Sequence, residues 1–197
     1  MTGDAGVIAE RRRELLRNRI AQNGLATSGS ADQPTLRAGQ RYRLSAGQRR
    51  MWFLQTLDPA DTTLNIGVAY RLTGPLDVDR LRRSLNTVVA RHTILRTTYG
   101  TDSDGEPFQE FRDDAEIAWR VHDRTGLPAA DRGSEIEAVV RTEFARPFDL
   151  AADLPMRATL IATGGDDVTL VLVVHHICWD DDCWGVFFAE VSAAYNG

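Results

Sequence analysis

The chain has 197 residues, 43% hydrophobic and 26% charged, with a formal net charge of −5, which suits one domain with a sizeable core and is too short for two ordinary ones. Its longest apolar run, Val168 to Val174 with Thr169 inside it, is strand-sized and far short of the roughly 18 residues of a membrane-spanning helix. Met1-Thr2-Gly3-Asp4 has neither the basic stretch nor the apolar core of a secretory signal, so a reducing cytoplasmic setting with Cys178 and Cys183 as free thiols is expected.

Charge is unevenly spread. Residues 1–50 carry ten Arg against four Asp and Glu, a balance of +6, leaving −11 for the remainder. From Val7 to Asn23, Ile8, Leu15, Leu16 and Ile20 fall near helical spacing with Arg on the other faces, predicting an amphipathic helical appendage over residues 1–25. Its basic cluster suits a solvated face or an acidic docking partner. Nucleic acid is not expected, because no aromatic platform or reader motif accompanies the charge. The small, polar stretch ATSGSADQ marks a flexible linker over 26–41, and a compact domain over 42–197 follows.

Within that domain, Ser45 is placed to cap a helix running to about Leu57, and Asn65 to Leu72 reads as a strand ended by Gly74-Pro75. Asp77 to Ala90 is amphipathic, with Leu81, Leu85, Val88 and Val89 on one stripe. Ile94 to Tyr99 is strand-like, and Asp104-Gly105 predicts a hairpin returning through Pro107 to Phe111. After a strand around Ile117 to Val121, Ser134 to Phe144 forms a helix, and Met156 to Ala162 pairs with Val168 to Val174 across Gly164-Gly165-Asp166-Asp167. The second of these strands is β-branched and almost free of polar residues, so it belongs at the centre of a sheet covered on both faces. A last helix spans roughly Asp182 to Tyr195. The expected architecture is α/β (α+β, two-layer), a mixed β-sheet with packed helices.

The strand at Val168 to Val174 delivers His175-His176-Ile177-Cys178-Trp179-Asp180-Asp181. Side chains alternate along a strand, so only one of the two histidines is expected to face a cavity. An imidazole at a strand end, just before a helix, is well placed to move a proton or orient a nucleophile. Asp180, Asp181 and Asp182 also have a purely structural reading as helix-capping acids. Zinc is not expected, because the two cysteines have no second ligand pair at matching spacing.

Three segments together carry a resemblance. Leu44-Ser45-Ala46-Gly47-Gln48-Arg49-Arg50-Met51-Trp52-Phe53-Leu54 resembles the first signature of non-ribosomal peptide synthetase condensation domains, and Arg91-His92-Thr93-Ile94-Leu95-Arg96-Thr97-Thr98-Tyr99 resembles the second. His175 to Asp180 matches the third, His-His-x-x-x-Asp-Gly, with Asp181 in the Gly position. The likeness runs in order from about Tyr42 to Gly197. It implies the amino-terminal lobe of a V-shaped, two-lobed fold similar to chloramphenicol acetyltransferase, without its carboxy-terminal lobe.

The resemblance further implies amide formation between an aminoacyl or peptidyl thioester and an aminoacyl thioester, both held on phosphopantetheine arms of upstream and downstream peptidyl carrier proteins, with no cofactor bound by the domain itself. By position His176 is the catalytic residue, His175, Asp180 and Asp181 complete the motif, and Arg91 and Arg96, or equally an Arg of the carboxy-terminal lobe, are candidates to brace it. Trp179 and Asp181 are unusual bulk and charge for the tunnel, and residues 1–25 are a candidate dock for an upstream synthetase subunit. The lobe alone is expected to be inactive. Two alternatives remain: a condensation-like domain that recruits a tailoring enzyme or carrier, and a coenzyme A-dependent acyltransferase.

Overall fold

The computed structural model describes residues 37–164 and 167–197. The amphipathic helix expected before residue 25, and the linker as far as residue 36, lie outside them. From Arg37 onward the chain is packed: its amide donates to Tyr42 Oη at 2.7 Å and that of Gly39 to the Phe111 carbonyl at 3.3 Å.

The elements run β1 (Arg41–Arg43), α1 (Ala46–Leu57), β2 (Asn65–Thr73), α2 (Val78–Arg91), a 3-10 turn (Thr93–Arg96), β3 (Thr97–Thr101), β4 (Pro107–Phe111), β5 (Ala118–Asp123), α3 (Ala129–Phe144), β6 (Met156–Ala162), β7 (Asp167–His175) and α4 (Cys183–Asn196). Local chemistry explains several boundaries. Ser45 and Gln48 form a reciprocal capping box on α1, at 3.2 and 2.9 Å. Asp77 accepts from the Arg80 amide at 2.8 Å and starts α2. At the β3–β4 turn, Asp102 Oδ1 accepts from the amides of Asp104 and Glu106, and Gly105 adopts φ 84°, a left-handed conformation that glycine takes without Cβ strain.

β2, β7, β6 and β5 form a four-stranded mixed sheet, antiparallel except for the parallel β5–β6 pair, which α3 connects. β7 is internal and alternates cleanly. Leu170, Leu172 and Val174 pack with Leu81, Leu85 and Val88 of α2 and Phe187 and Val191 of α4, while Val171 and Val173 pack with Val139 of α3 and with Phe148, Leu150 and Met51 on the opposite face. Burial on both faces is why this strand reads as a continuous apolar run.

Two expectations change. Ile94 to Arg96 is not strand; it lies in the 3-10 turn that closes α2, with the Leu95 amide donating to the His92 carbonyl at 2.9 Å. α3 starts at Ala129, five residues before Ser134, since Pro128 ends the preceding segment and Asp131 supplies a favourable acid to the first turn. The β3–β4 hairpin does not join the main sheet. It pairs with β1 into a separate three-stranded sheet, β1-β4-β3, through a strand of three residues that is too short to show a period. Among the described residues, no helix is long and apolar enough to cross a membrane.

Candidate active site

β7 ends at His175, held between neighbours on both sides: the His175 amide donates to the Pro155 carbonyl and that of His176 to the Leu64 carbonyl, each at 2.9 Å. The chain then turns, with the Cys178 amide donating to the His175 carbonyl at 3.1 Å. Strand alternation continues into this turn and sends the two histidines to opposite environments.

His175 goes inward and has no exposed surface. Its Nδ1 accepts from the Ile177 amide at 3.1 Å, so the ring proton sits on Nε2 and donates to Gln55 Oε1 at 3.0 Å. Burial first, then electrostatic coupling to His176 and to the Arg157 guanidinium, brings its pKa down to about 4. The ring is neutral at physiological pH and both nitrogens are used. Neither nitrogen of His175 is left free for a substrate.

His176 faces an open cleft of about 480 Å3, which it shares with Ser45, Gln48 and Met51 of the α1 segment, with Ile94, and with Ile177 to Asp180. Its Nδ1 lies 2.6 Å from the Trp179 carbonyl oxygen. A carbonyl only accepts, so Nδ1 carries a proton, and in the neutral ring the lone pair then lies on Nε2. A half-buried imidazole with one nitrogen tied to the backbone and the other free is the arrangement a general base or amine-orienting group requires.

The acidic residues divide. Asp180 is exposed at the cleft rim and accepts from the Cys183 thiol at 3.0 Å. That bond, aided by the amides of Cys183 and Asp182 and by nearby His176, holds its carboxyl below the usual carboxylate range. Of the three acids read as capping residues, Asp180 anchors the helix start, while Asp182 occupies the N-cap of α4 without a capping bond from its side chain. Asp181, in the Gly slot of the motif, is exposed and outside the lining of the His176 cleft.

Neither arginine braces the motif as the resemblance suggested. Arg91 Nη1 is 3.5 Å from Glu190 of α4, whose other oxygen is 2.7 Å from His92 Nε2. Arg96 donates to the Arg112 carbonyl at 2.6 Å, is 3.3 Å from Asp113 and lies over the Phe111 ring. The first ties α2 to α4 and the second secures the hairpin, because their positions at the end of α2 and in the 3-10 turn bring those acids, and not Asp180, within reach. Trp179 is buried in an aromatic cluster, 4.6 Å from Trp184 and 5.4 Å from Phe187 between ring centroids, and also lines the cleft. Its bulk is part of the core as much as of the cavity wall. Burial raises both thiols, Cys178 far above its ordinary value, so neither is a ready nucleophile.

Sequence reasoning missed the support beneath the site. Arg157, 3% exposed, lies 3.9 Å over the Phe148 ring, whose plane meets that of His175 edge-on. Its Nη2 donates to the carbonyls of Glu143 and Arg146, and the buried Glu143 carboxylate is also met by Arg146 at 2.9 Å and Arg120 at 3.5 Å. Burial brings the Arg157 pKa to about 10, leaving it charged. Gln55 lies seven residues after Gln48 on the same face of α1, and that spacing was the one available signal. Among the described residues no group of three His, Cys, Asp or Glu is arranged to hold a metal ion.

Residues 38–197 match the family model of the Condensation domain. The chain is 36% identical over 177 residues to a probable non-canonical nonribosomal peptide synthetase, CymA, of Salinispora arenicola, covering 90% of this chain and 2% of that protein. It is 35% identical over 177 residues to the chondramide synthase cmdD of Chondromyces crocatus, covering 90% of this chain and 4% of that protein. The first condensation domain of the CDA synthetase superposes with a TM-score of 0.71 at 25% identity, over 80% of this chain and 40% of that one. The starter condensation domain of rhizomide synthetase RzmA shares the fold, with a TM-score of 0.71 at 23% identity over 79% of this chain and 37% of the other. The chain thus spans a few per cent of these curated relatives and about two fifths of the solved chains.

Proposed function

Since the chain belongs to the condensation-domain family, we propose that it is the amino-terminal lobe of a nonribosomal peptide synthetase condensation domain and that His176 serves amide bond formation between two carrier-bound thioesters in the cytoplasm. The observation that carries this reading is the pinning of His176 Nδ1 on the Trp179 carbonyl, which leaves Nε2 as the nitrogen available to a substrate in the open cleft. An upstream carrier presents the acyl thioester and a downstream carrier the aminoacyl thioester, each on a phosphopantetheine arm.

The amine nitrogen attacks the thioester carbonyl, the C–N bond forms, the C–S bond breaks, and the amine proton passes by way of Nε2 to the departing thiolate. An α-amine has a pKa near 8, so a good fraction is already neutral at cytoplasmic pH. Orientation of that amine is therefore as much the work of Nε2 as proton removal is. His176 lies in an open cleft, and the carboxy-terminal lobe is proposed to supply its second wall, which makes the 197-residue chain inactive alone.

The test is single-turnover condensation between two loaded carriers by the complete synthetase. His176→Ala is expected to slow it by roughly a hundredfold or more. Retention of the parent rate would overturn the reading and favour a domain that recruits a partner without making a bond.

A further inference from the structure

Gln55 lies on α1, 7% exposed, facing the end of β7. Its Nε2 donates to the Pro59 carbonyl at 3.2 Å, which fixes the orientation of the amide: the nitrogen faces that carbonyl and Oε1 faces the His175 ring at 3.0 Å. A continuous run of bonds then leads to the cleft. Gln55 Oε1 accepts from His175 Nε2, His175 Nδ1 accepts from the Ile177 amide, Ile177 stands in the turn that leads to Trp179, and the Trp179 carbonyl accepts from Nδ1 of His176.

We propose that Gln55 is a positioning residue for His176: by accepting the proton of His175 it holds the turn from Ile177 to Trp179 in the conformation that keeps His176 in its Nδ1–H form with Nε2 free. The inference rests on the reading of His176 as the acting group.

Two features make this more than packing. α1 also carries Gln48 and Met51, which line the His176 cleft, so the Gln55–His175 bond ties one element of the cleft lining to the strand end that leads to His176. Loss of the acceptor also strands a buried N–H, at a cost of about 1–3 kcal/mol. The ring can relieve that cost only by moving, and the Ile177 amide bonded to it then moves too. The Phe148 ring edge and the Arg157 guanidinium behind it close the other side, and the latter disfavours relief by protonation of His175.

The test uses the chain with 15N-labelled histidine, for the ring nitrogen shifts, and the complete synthetase, for kinetics. Gln55→Met keeps length and removes the acceptor; Gln55→Asn keeps the amide but falls one methylene short; Gln55→Glu keeps the acceptor. In the first two, the His176 ring signals at pH 8 are expected to change from the Nδ1–H pattern to a mixture of tautomers. The condensation kcat should fall about ten- to a hundredfold, the cost of a small misplacement, with the carrier KM within about twofold. Gln55→Glu should restore both readings.

A folded Gln55→Met or Gln55→Asn protein with the parent tautomer and parent kcat would overturn the proposal, whatever its thermal midpoint. If Gln55→Met does not fold, Gln55→Asn carries the comparison. Parent-like tautomers in Gln55→Glu beside mixed tautomers in Gln55→Asn would support the positioning role even if His176→Ala proved harmless to condensation, so failure of the functional reading and failure of this one are separable.

Discussion

The Trp179 carbonyl accepts from Nδ1 of His176 at 2.6 Å, which divides the ring into a structural nitrogen and a chemical one. Two substitutions separate them. His176→Asn places an amide donor near the Nδ1 position and nothing at Nε2; His176→Gln reaches toward Nε2 without basicity and gives up the Trp179 contact. Both are expected to condense roughly 10²–10⁴-fold more slowly, the usual worth of a positioned general base. Only His176→Gln should also lower the thermal midpoint. Single-turnover rates with loaded carriers and a thermal unfolding curve measure both, and a near-parent rate in His176→Asn would assign the chemistry elsewhere.

Asp181 departs from the motif but not into the cleft. Its side chain is exposed, and a water-screened charge even 5 Å from developing negative charge costs only about 0.8 kcal/mol, or about fourfold in rate. Asp181→Gly is therefore expected to change condensation by less than about tenfold. A hundredfold gain in the same single-turnover assay would place this carboxylate in the assembled tunnel after all.

The sequence made legible whatever repeats or punctuates. The capping pair Ser45 and Gln48, the stripe on α2 and the apolar run of β7 are all local signals, and each matches an element of the fold. The motif histidines were legible as a pair, and strand alternation was enough to say that they part ways. What escaped depends on residues distant in sequence. β1 is recognisable only through its pairing with β4, some 65 residues later. Gln55 and His175 stand 120 residues apart, and Arg157 reads as an ordinary charged residue until the fold buries it over Phe148. The partners of Arg91 and Arg96 were misjudged for the same reason: adjacency within a motif does not say which acid the fold brings near.

Two glycines carry opposite expectations. A Cβ on Gly67, in β2, would lie 2.4–2.7 Å from three carbons of the Phe144 ring at the end of α3. Strand and helix are both packed there, so Gly67→Ala should destabilise by about 1–3 kcal/mol, and Phe144→Leu in the same chain should recover part of that loss. Gly133 lies within α3, and a Cβ there meets nothing within 4 Å. Gly133→Ala should stabilise by about 0.5–1 kcal/mol through helix propensity alone. Urea midpoints of the three variants give the signs, and a stable Gly67→Ala protein would contradict the close approach of α3 to β2.

His175 should make the fold acid-sensitive above the range of its carboxylates. Its folded pKa is about 4 against an ordinary 6.5, depressed chiefly because burial disfavours the charged ring. Between those values the unfolded chain binds a proton that the folded chain does not, so stability rises with pH across the window. The contribution is full above about pH 6.5 and is lost progressively as pH falls toward 4, amounting to roughly 3 kcal/mol. The carboxylates whose values are lowered here, such as Asp180 and Glu190, start from ordinary values of 4.5 or less and act mostly beneath this window. Unfolding free energy measured by urea at half-unit steps from pH 7 to 4.5 should therefore fall steadily in the parent chain. In His175→Asn, which has no group to protonate, the slope over that interval should largely vanish even though the variant is less stable at pH 7. An unchanged slope would mean that His175 is not the buried, neutral ring bonded to Gln55 and Ile177.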